Sequence, residues 1–425
     1  MRAFRVAQVS HNVSESSAPY RLNEALGRHA EVESYLLLRR TRNGVGEELV
    51  RSPVRRAGDA LKRLFARAIC RMTFPYDRNT PFYSVLGMGF NQNQMEKADI
   101  VNLHWIAGRT LDFSRLRYIN RPLVYTLHDT MPVTGGWHGN LGCTNYRNGC
   151  AGGCPRLGKI LGSTAWTGYI FRKKREYFSE IPFLTIVTPS KWLLNMAHES
   201  GMFEGRRMVQ IYNPVDTRLF IPSFNKKEAK SRLGIPENAF VIAVGAVNLK
   251  DPFKGGEYVL PIIYELYKRG LRNIHILLFG GSGDTDSYPY SVTNSGFITD
   301  INRLVSVYQA ADLFLNPTKQ DTLSYVSLEA MSCGIPSVCF RTGGVPEICR
   351  DGETGLLADQ FDVGQMADHC ESLYHNEELK QKLGAQGRSC AEKEFCYSSI
   401  SGKYERLYQE VLEEWCSATL NRNVF

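Results

Sequence analysis

The sequence predicts an α/β chain built from two doubly wound, Rossmann-like domains that face a cleft. Three observations carry this. Short apolar runs rich in strand-forming residues recur at 4–9, 100–103, 123–127, 185–187, 241–244, 274–279, 313–316 and 337–340. Segments of helical periodicity, such as 18–27, 257–269 and 324–333, lie between them. The chain has 425 residues, more than one ordinary domain holds. Apolar strands alternating with helices imply parallel sheets covered on both faces, because a strand buried on both sides reads as a continuous apolar run.

Taken in order, the first run carries charges among its apolar residues, so it reads as a strand and not as a signal peptide. A basic segment follows at 39–78. In it Leu61, Leu64, Phe65, Ala68, Ile69 and Met72 recur at helical spacing, with Arg56, Lys62, Arg63, Arg67 and Arg71 on the other side. Two readings of this amphipathic basic helix stay open. It packs on the N-terminal core, or it rests on anionic lipid headgroups. It matches no nucleic-acid module, so no nucleic-acid partner is expected. No stretch of about 18 uninterrupted apolar residues occurs, so no membrane-spanning helix is expected. The turn-rich segment 212–225, with Asn213-Pro214 and Ile221-Pro222, marks the boundary between two halves of similar length.

Composition agrees with this class. Hydrophobic residues make up 43% and charged residues 22%, as in soluble globular proteins. Eleven cysteines, an odd number scattered through a long chain, point to reduced thiols and a cytoplasmic location. A net charge of +8 suits an acidic ligand or an anionic membrane surface.

The densest chemistry lies in residues 320–336. Asp321 precedes a predicted helix that starts near Thr322 and ends at Cys333, with Gly334 as terminator and Pro336 beyond. Glu329 lies about two turns further along. The first-turn N–H groups, around Ser324 to Val326, have no partner inside the helix and suit a phosphate, helped by the helix dipole. A carboxylate beside such a site suits the hydroxyls of a ribose or hexose.

This segment resembles the E-x7-E motif of the retaining GT4 family, the group 1 glycosyltransferases. Further matches follow the family's order along the chain. They are Pro189-Ser190-Lys191-Trp192, Asn213-Pro214-Val215-Asp216 with Phe220, Lys254-Gly255, Phe279-Gly280-Gly281, 342–348 and 351–357. The resemblance implies a GT-B fold with three parts. Residues 1–215 would bind the acceptor, 216–395 would bind a nucleotide sugar, and 396–425 would be a helical segment returning to the N-terminal domain. It implies that Glu329 binds the nucleotide's ribose, Asp321 faces the donor sugar and Lys254 neutralises the diphosphate. Tyr325 and Val326 would offer backbone N–H groups to the phosphates, and Ile298 would lie near the base. Two departures stand out. Gly245-Ala246 replaces the family's G-R pair, and Asp321 is one methylene shorter than the usual Glu.

In the N-terminal half, 99–105 and 125–138 resemble a branch of the family from bacterial surface-polysaccharide clusters. By that resemblance His128, at a strand end, contacts the transferred sugar. The implied reaction is retaining transfer of a hexosyl group from a nucleoside diphosphate to a glycan or lipid-linked glycan. No metal is needed for the leaving group, since a lysine and a helix N-terminus meet its charge. Peripheral attachment to an anionic inner membrane face fits a lipid-linked acceptor. Two rivals are a GT-B epimerase and a non-catalytic sugar-nucleotide-binding protein, the latter favoured by the missing arginine.

His138, Cys143, Cys150 and Cys154 crowd a glycine-rich loop. Three thiolates and one imidazole suit a tetrahedral structural zinc, although this spacing is not a common zinc signature. Unligated cysteines and a redox use are the alternatives.

Overall fold

The structure, a computed structural model of the chain, describes residues 4–41, 45–49, 90–106, 110–152, 154, 163–281 and 285–422. It divides into two compact units. One comprises Met1–Tyr212 with Ile400–Phe425, the other Asn213–Ser399. The basic helix read at 61–72 lies outside the described residues.

The first unit is built on a seven-stranded sheet in the order β3-β2-β1-β4-β5-β6-β7. Its strands are β1 (Phe4–Ser10), β2 (Val32–Leu38), β3 (Glu47–Glu48), β4 (Ile100–Leu103), β5 (Leu123–Thr126), β6 (Leu184–Thr188) and β7 (Arg207–Gln210). All pairings are parallel. The central strands are apolar because helices cover both faces. Described helices are α1 (Ala18–His29), α2 (Gln92–Met95), α3 (Ser163–Ser179) and α4 (Lys191–Ser200). Phe113, Phe178 and Phe203 form an aromatic knot in the core, with ring centroids 5.0–5.5 Å apart around Phe178.

The second unit carries a six-stranded parallel sheet in the order β10-β9-β8-β11-β12-β13. Its strands are β8 (Phe240–Ala246), β9 (Ile274–Gly280), β10 (Ser291–Asn294), β11 (Leu313–Asn316), β12 (Ser337–Phe340) and β13 (Gly355–Ala358). All seven residues of β8 and of β9 are buried. The helices are α5 (Lys226–Arg232), α6 (Gly256–Lys268), α7 (Ile301–Ala310), α8 (Tyr325–Ser332), α9 (Val363–His375) and α10 (Glu377–Cys390). Helix α6 buries Val259, Ile262, Ile263 and Leu266, the i, i+3, i+4, i+7 stripe of a helix lying on a sheet.

The last helix, α11 (Tyr397–Arg422), follows this second unit in sequence, and from Ile400 onward it packs with the first. Tyr408 meets Phe4 edge-on at 6.4 Å, and Arg207 of β7 pairs with Glu410 and Glu414. No helix among the described residues is long and apolar enough to cross a membrane.

The strand order reverses once in each sheet, between β1 and β4 and between β8 and β11. At such a reversal the flanking loops diverge and leave a crevice at the carboxyl ends, where α/β sheets bind ligands. The candidate residues cluster at these two points. Helix α8 begins at Tyr325, three residues later than the sequence suggests. The delay has a local cause. The Asp321 carbonyl is already taken by the Gly344 N–H at 2.9 Å, which holds the lead-in off the helical path.

Candidate functional site

The second unit's site starts at the carboxyl ends of β8 and β11. The loop 250–255 is tied to the β11 loop through the Phe253 carbonyl. It accepts from Lys319 N at 2.8 Å and from Thr318 Oγ1 at 2.9 Å. Gly255, at φ 64°, lets this turn close, since a Cβ there would fall 1.8 Å from the Pro317 carbonyl oxygen. Gly343, at φ 56°, clamps the other side, where a Cβ would lie 2.2 Å from the Asp321 carbonyl. Two glycine turns thus press the loop carrying Asp321 against the turn carrying Lys254.

The result is an ion pair, Lys254 Nζ to Asp321 Oδ2 at 2.8 Å. Burial works against the ammonium, yet the Asp321 carboxylate holds its pKa above the usual lysine value. Lys254 is therefore a fixed cation. Asp321 stands four residues ahead of α8, whose N-cap Ser324 makes no side-chain cap hydrogen bond. Its hydroxyl is engaged elsewhere, accepting from Asn316 Nδ2 at 2.9 Å. The half-buried Tyr325 and Val326 therefore open a helix whose first-turn N–H groups receive no cap from that side chain.

Glu329 lies on the buried side of α8, 3% exposed, and accepts from the Tyr308 hydroxyl at 2.8 Å. Ile298 is half-buried in the loop after β10. Of the six donor-site residues, the structure joins Lys254 and Asp321 directly and lines up Tyr325, Val326 and Glu329 on one helix. Ile298 sits on a separate loop. At the Gly245-Ala246 departure, a Cβ on Gly245 would fall 2.2 Å from the Phe279 ring, so the strand end is packed shut there. Lys250 is exposed nearby.

The first unit presents a second cluster at the ends of β1, β4 and β5. His128 is half-buried, and its Nε2 lies 2.9 Å from Nδ1 of the buried His104. Burial pushes the His128 pKa down to about 4, against the opposing pull of Asp129. Asp129 accepts from Trp105 Nε1 at 2.6 Å, from the Met131 N–H at 2.8 Å, and pairs with His138 Nδ1 at 2.8 Å. Burial alone would raise its pKa, but His138 and these donors hold it below the usual value. Lys174 is fully buried beneath the same loop and donates to the carbonyls of Met131 and Thr134. Burial pushes its pKa down to about 7.

The proposed zinc set does not assemble. Cys143, Cys150 and Cys154 line one small cavity with Trp137 and Asn140. His138, however, is turned to Asp129 and lies against the Trp105 ring at 5.4 Å. Cys150 accepts from the Gly135 N–H at 3.1 Å, and burial raises its pKa and so favours the thiol. Among the described residues no group of three or more His, Cys, Asp or Glu side chains is arranged to hold a metal ion.

Sequence reasoning assigned no role to Gln8, Asn102, His104, Lys174, Tyr404 or Tyr408. For three of them, a signal was present. Gln8 and Asn102 are polar residues inside strands that are otherwise apolar, and Gln8 pairs in register with Asn102. His104 follows directly on β4. A buried polar side chain needs a partner, but Tyr408, which bonds both Gln8 and Asn102, lies 400 residues from the first and 306 from the second.

Residues 239–376 match the family model described as Glycosyl transferases group 1. D-inositol 3-phosphate glycosyltransferase of Corynebacterium efficiens is 28% identical over 230 residues, which is 50% of this chain and 54% of that protein. The chain thus spans about half the length of the curated relatives it matches. Sucrose-phosphate synthase from Thermosynechococcus elongatus superimposes with a TM-score of 0.68 at 16% identity, covering 97% of this chain and 100% of that one. Anabaena HepE in complex with UDP and glucose gives 0.64 at 15% identity, covering 96% and 99%. These likenesses show the fold, and it is the GT-B fold expected from the sequence.

Proposed function

We propose that this chain, whose residues 239–376 match the group 1 glycosyltransferase model, is a retaining, metal-independent glycosyltransferase of that family. It moves a sugar from a nucleoside diphosphate to a hydroxyl of a glycan or lipid-linked glycan in polysaccharide synthesis. The observation that carries this reading is the Lys254–Asp321 pair, held at the strand-order reversal just ahead of α8. A fixed cation and a helix N-terminus suit a departing diphosphate, whose charge grows as the glycosidic bond breaks. In this reading Lys254 takes that charge, and the N–H groups of Tyr325 and Val326 donate to phosphate oxygens. Glu329 accepts from the ribose hydroxyls beside Tyr308, and Ile298 lines the base. Asp321 orients Lys254 and faces the sugar, which His128 of the acceptor-binding domain also contacts.

Two further points support transfer. The Corynebacterium relative is named for glycosyl transfer, and HepE was solved with UDP and glucose. None of the motif side chains is an evident covalent nucleophile, which suits a same-face, ion-pair-like displacement. The lipid-linked acceptor fits peripheral attachment at the inner membrane face through the basic segment 39–78. The domain reading is 1–215 for the acceptor, 216–395 for the donor, and 396–425 as a brace on the first domain.

A thermal-shift screen of UDP-, GDP- and ADP-sugars, followed by product analysis, tests this. One donor at 100 times its Kd should stabilise the protein by about 2.7 kcal/mol. Nucleoside diphosphate should then be released only when an acceptor is added. Stabilisation by no sugar nucleotide, or conversion that ignores the acceptor, would overturn the reading.

A further inference from the structure

A continuous chain of hydrogen bonds runs behind His128 into the sheet and on to α11. His128 Nε2 meets His104 Nδ1 at 2.9 Å, and His104 Nε2 meets Gln8 Oε1 at 2.6 Å. The two imidazole rings are within 21° of coplanar, with centroids 5.2 Å apart. They are joined edge to edge, so the N–H of one points in plane at the lone pair of the other. Gln8 Nε2 donates to Ser34 Oγ at 3.2 Å and to Tyr408 OH at 3.4 Å. Tyr408 also receives Asn102 Nδ2 at 2.8 Å, and Asn102 Oδ1 accepts from Thr126 Oγ1 at 3.0 Å.

The chain has a direction. Ser34 donates its hydroxyl hydrogen to Asn23 Oδ1 at 2.9 Å, so toward Gln8 it is an acceptor. Gln8 therefore turns its amide NH2 to Ser34 and Tyr408, and its oxygen to His104. An amide oxygen only accepts, so His104 Nε2 carries a proton. His104 is 1% exposed, and burial holds its pKa well below the usual value. A neutral ring protonated at Nε2 has a bare Nδ1. That atom can only accept from His128.

We infer that His104 is a positioning residue which, backed by Gln8, holds His128 in one tautomer, with Nε2 protonated and Nδ1 a lone-pair acceptor. The use of this in transfer rests on the reading of His128 given above; the tautomer itself does not. In this tautomer Nδ1 accepts hydrogen bonds, whereas in the opposite tautomer it would donate them. Burial favours the neutral form of both rings and outweighs the upward pull of Asp129 on His128. Asp129 is committed to His138, Trp105 and the Met131 N–H, as described above. Tyr404 and Tyr408 on α11 stay protonated, because burial pushes both phenols far above their usual range.

The test is nitrogen NMR of the full-length protein labelled with 15N-histidine, without ligand, with His128 assigned by loss of its signals in His128→Gln. Two-bond proton–nitrogen correlations distinguish a ring protonated at Nε2 from one protonated at Nδ1. Both His104 and His128 should show the Nε2–H pattern, unchanged from pH 6 to pH 8, values bracketing the ordinary histidine pKa. His104→Asn, whose amide oxygen can stand in for Nδ1 and accept, should keep the His128 pattern; His104→Leu should give mixed tautomers. Gln8→Glu is the second variant. Its carboxylate favours a charged His104 that donates from both nitrogens, so His128 should invert to Nδ1–H. A wild-type His128 protonated at Nδ1, or an unaltered His128 in both His104→Leu and Gln8→Glu, would overturn the inference. In transfer assays the same two variants should lose about tenfold or more in kcat/KM, with His104→Asn largely restoring it. A changed tautomer with unchanged rates would remove His128 from the reaction and leave the positioning role standing.

Discussion

At the scale of single residues, the proposed donor site rests on a few charges whose positions are set by backbone geometry. Lys254→Ala removes the cation proposed to meet the leaving diphosphate. Loss of one positioned electrostatic contact commonly costs about a hundredfold or more in rate, so kcat with the true donor should fall by at least about tenfold, with little change in melting temperature. Glu329 needs a different variant. It is 3% exposed and accepts the Tyr308 hydroxyl, so alanine would strand a buried donor at a cost of about 1–3 kcal/mol. Glu329→Gln keeps an acceptor for Tyr308 and removes the charge. It should hold the melting temperature and still cut turnover about tenfold. Wild-type rates in both Lys254→Ala and Glu329→Gln would sink the site assignment. Gly255→Ala probes the scaffold under Lys254. The residue sits at φ 64° with a carbonyl 1.8 Å from where its Cβ would be. The strained conformation alone costs about 1–3 kcal/mol, so denaturant unfolding should register at least that loss, and donor affinity should weaken with it.

At the scale of elements, the second sheet is tied to its helices by one buried carboxylate. Asp312, 4% exposed at the start of β11, faces three lysines. They are Lys230 at 2.7 Å and Lys226 at 3.4 Å from α5, and Lys380 at 3.7 Å from α10. It also accepts the Val241 N–H of β8 at 2.8 Å. Burial would raise its pKa, but the lysines and that N–H hold it below the usual value. A carboxyl whose pKa is lower in the folded than in the unfolded chain contributes stability above the unfolded value, near pH 4. That contribution fades as pH falls through the folded value. Asp312→Asn takes the carboxylate from Lys226 and Lys230, while Lys380 keeps Glu377 at 2.7 Å, and should cost about 3–5 kcal/mol at pH 7. The gap between variant and wild type in urea midpoint should narrow below about pH 4. A gap that stays constant down to pH 2 would show that Asp312 acts through packing and not through charge.

At the scale of the whole molecule, the chain is two parallel-sheet units with a last helix that packs with the first unit after the second is complete. No described helix is long and apolar enough to cross a membrane, and the proposal has a lipid-linked acceptor met at the membrane surface. The basic segment 61–72, read as a helix from sequence alone, is the proposed contact. Each basic residue near an anionic surface contributes about 1 kcal/mol, and salt screens it. Sedimentation with phosphatidylserine-containing vesicles should therefore capture the protein at low salt and release it at high salt. Substituting Arg63, Arg67 and Arg71 by Glu should abolish capture while donor hydrolysis continues. No preference of the wild type for anionic over neutral vesicles would leave this an ordinary core-facing helix.

The central strands of both sheets, and the motifs that carry the proposed donor-site residues, were legible in the sequence itself. A strand covered on both faces is mostly apolar, so β1, β4–β6, β8, β9, β11 and β12 announce themselves as runs. Lys254, Asp321 and Glu329 stand in local motifs at short spacing, and the turns that present them need glycine. Five strands were not read. Four of them, β3, β7, β10 and β13, are the outermost strands of the two sheets. An edge strand need not be apolar on both faces, so Glu47-Glu48 or Ser291–Asn294 carries no run to find. The fifth, β2, starts with Val-Glu-Ser, which breaks its run. The start of α8, the engagement of His138 by Asp129 and the wiring of His128 to His104, Gln8 and Tyr408 were decided only by the tertiary structure. Each depends on a hydrogen-bond partner brought close by folding: Gly344 for the loop at Asp321, Asp129 for His138, and a tyrosine 400 residues from Gln8. Composition and periodicity report what must be buried; which buried polar groups satisfy one another is a property of the packed chain.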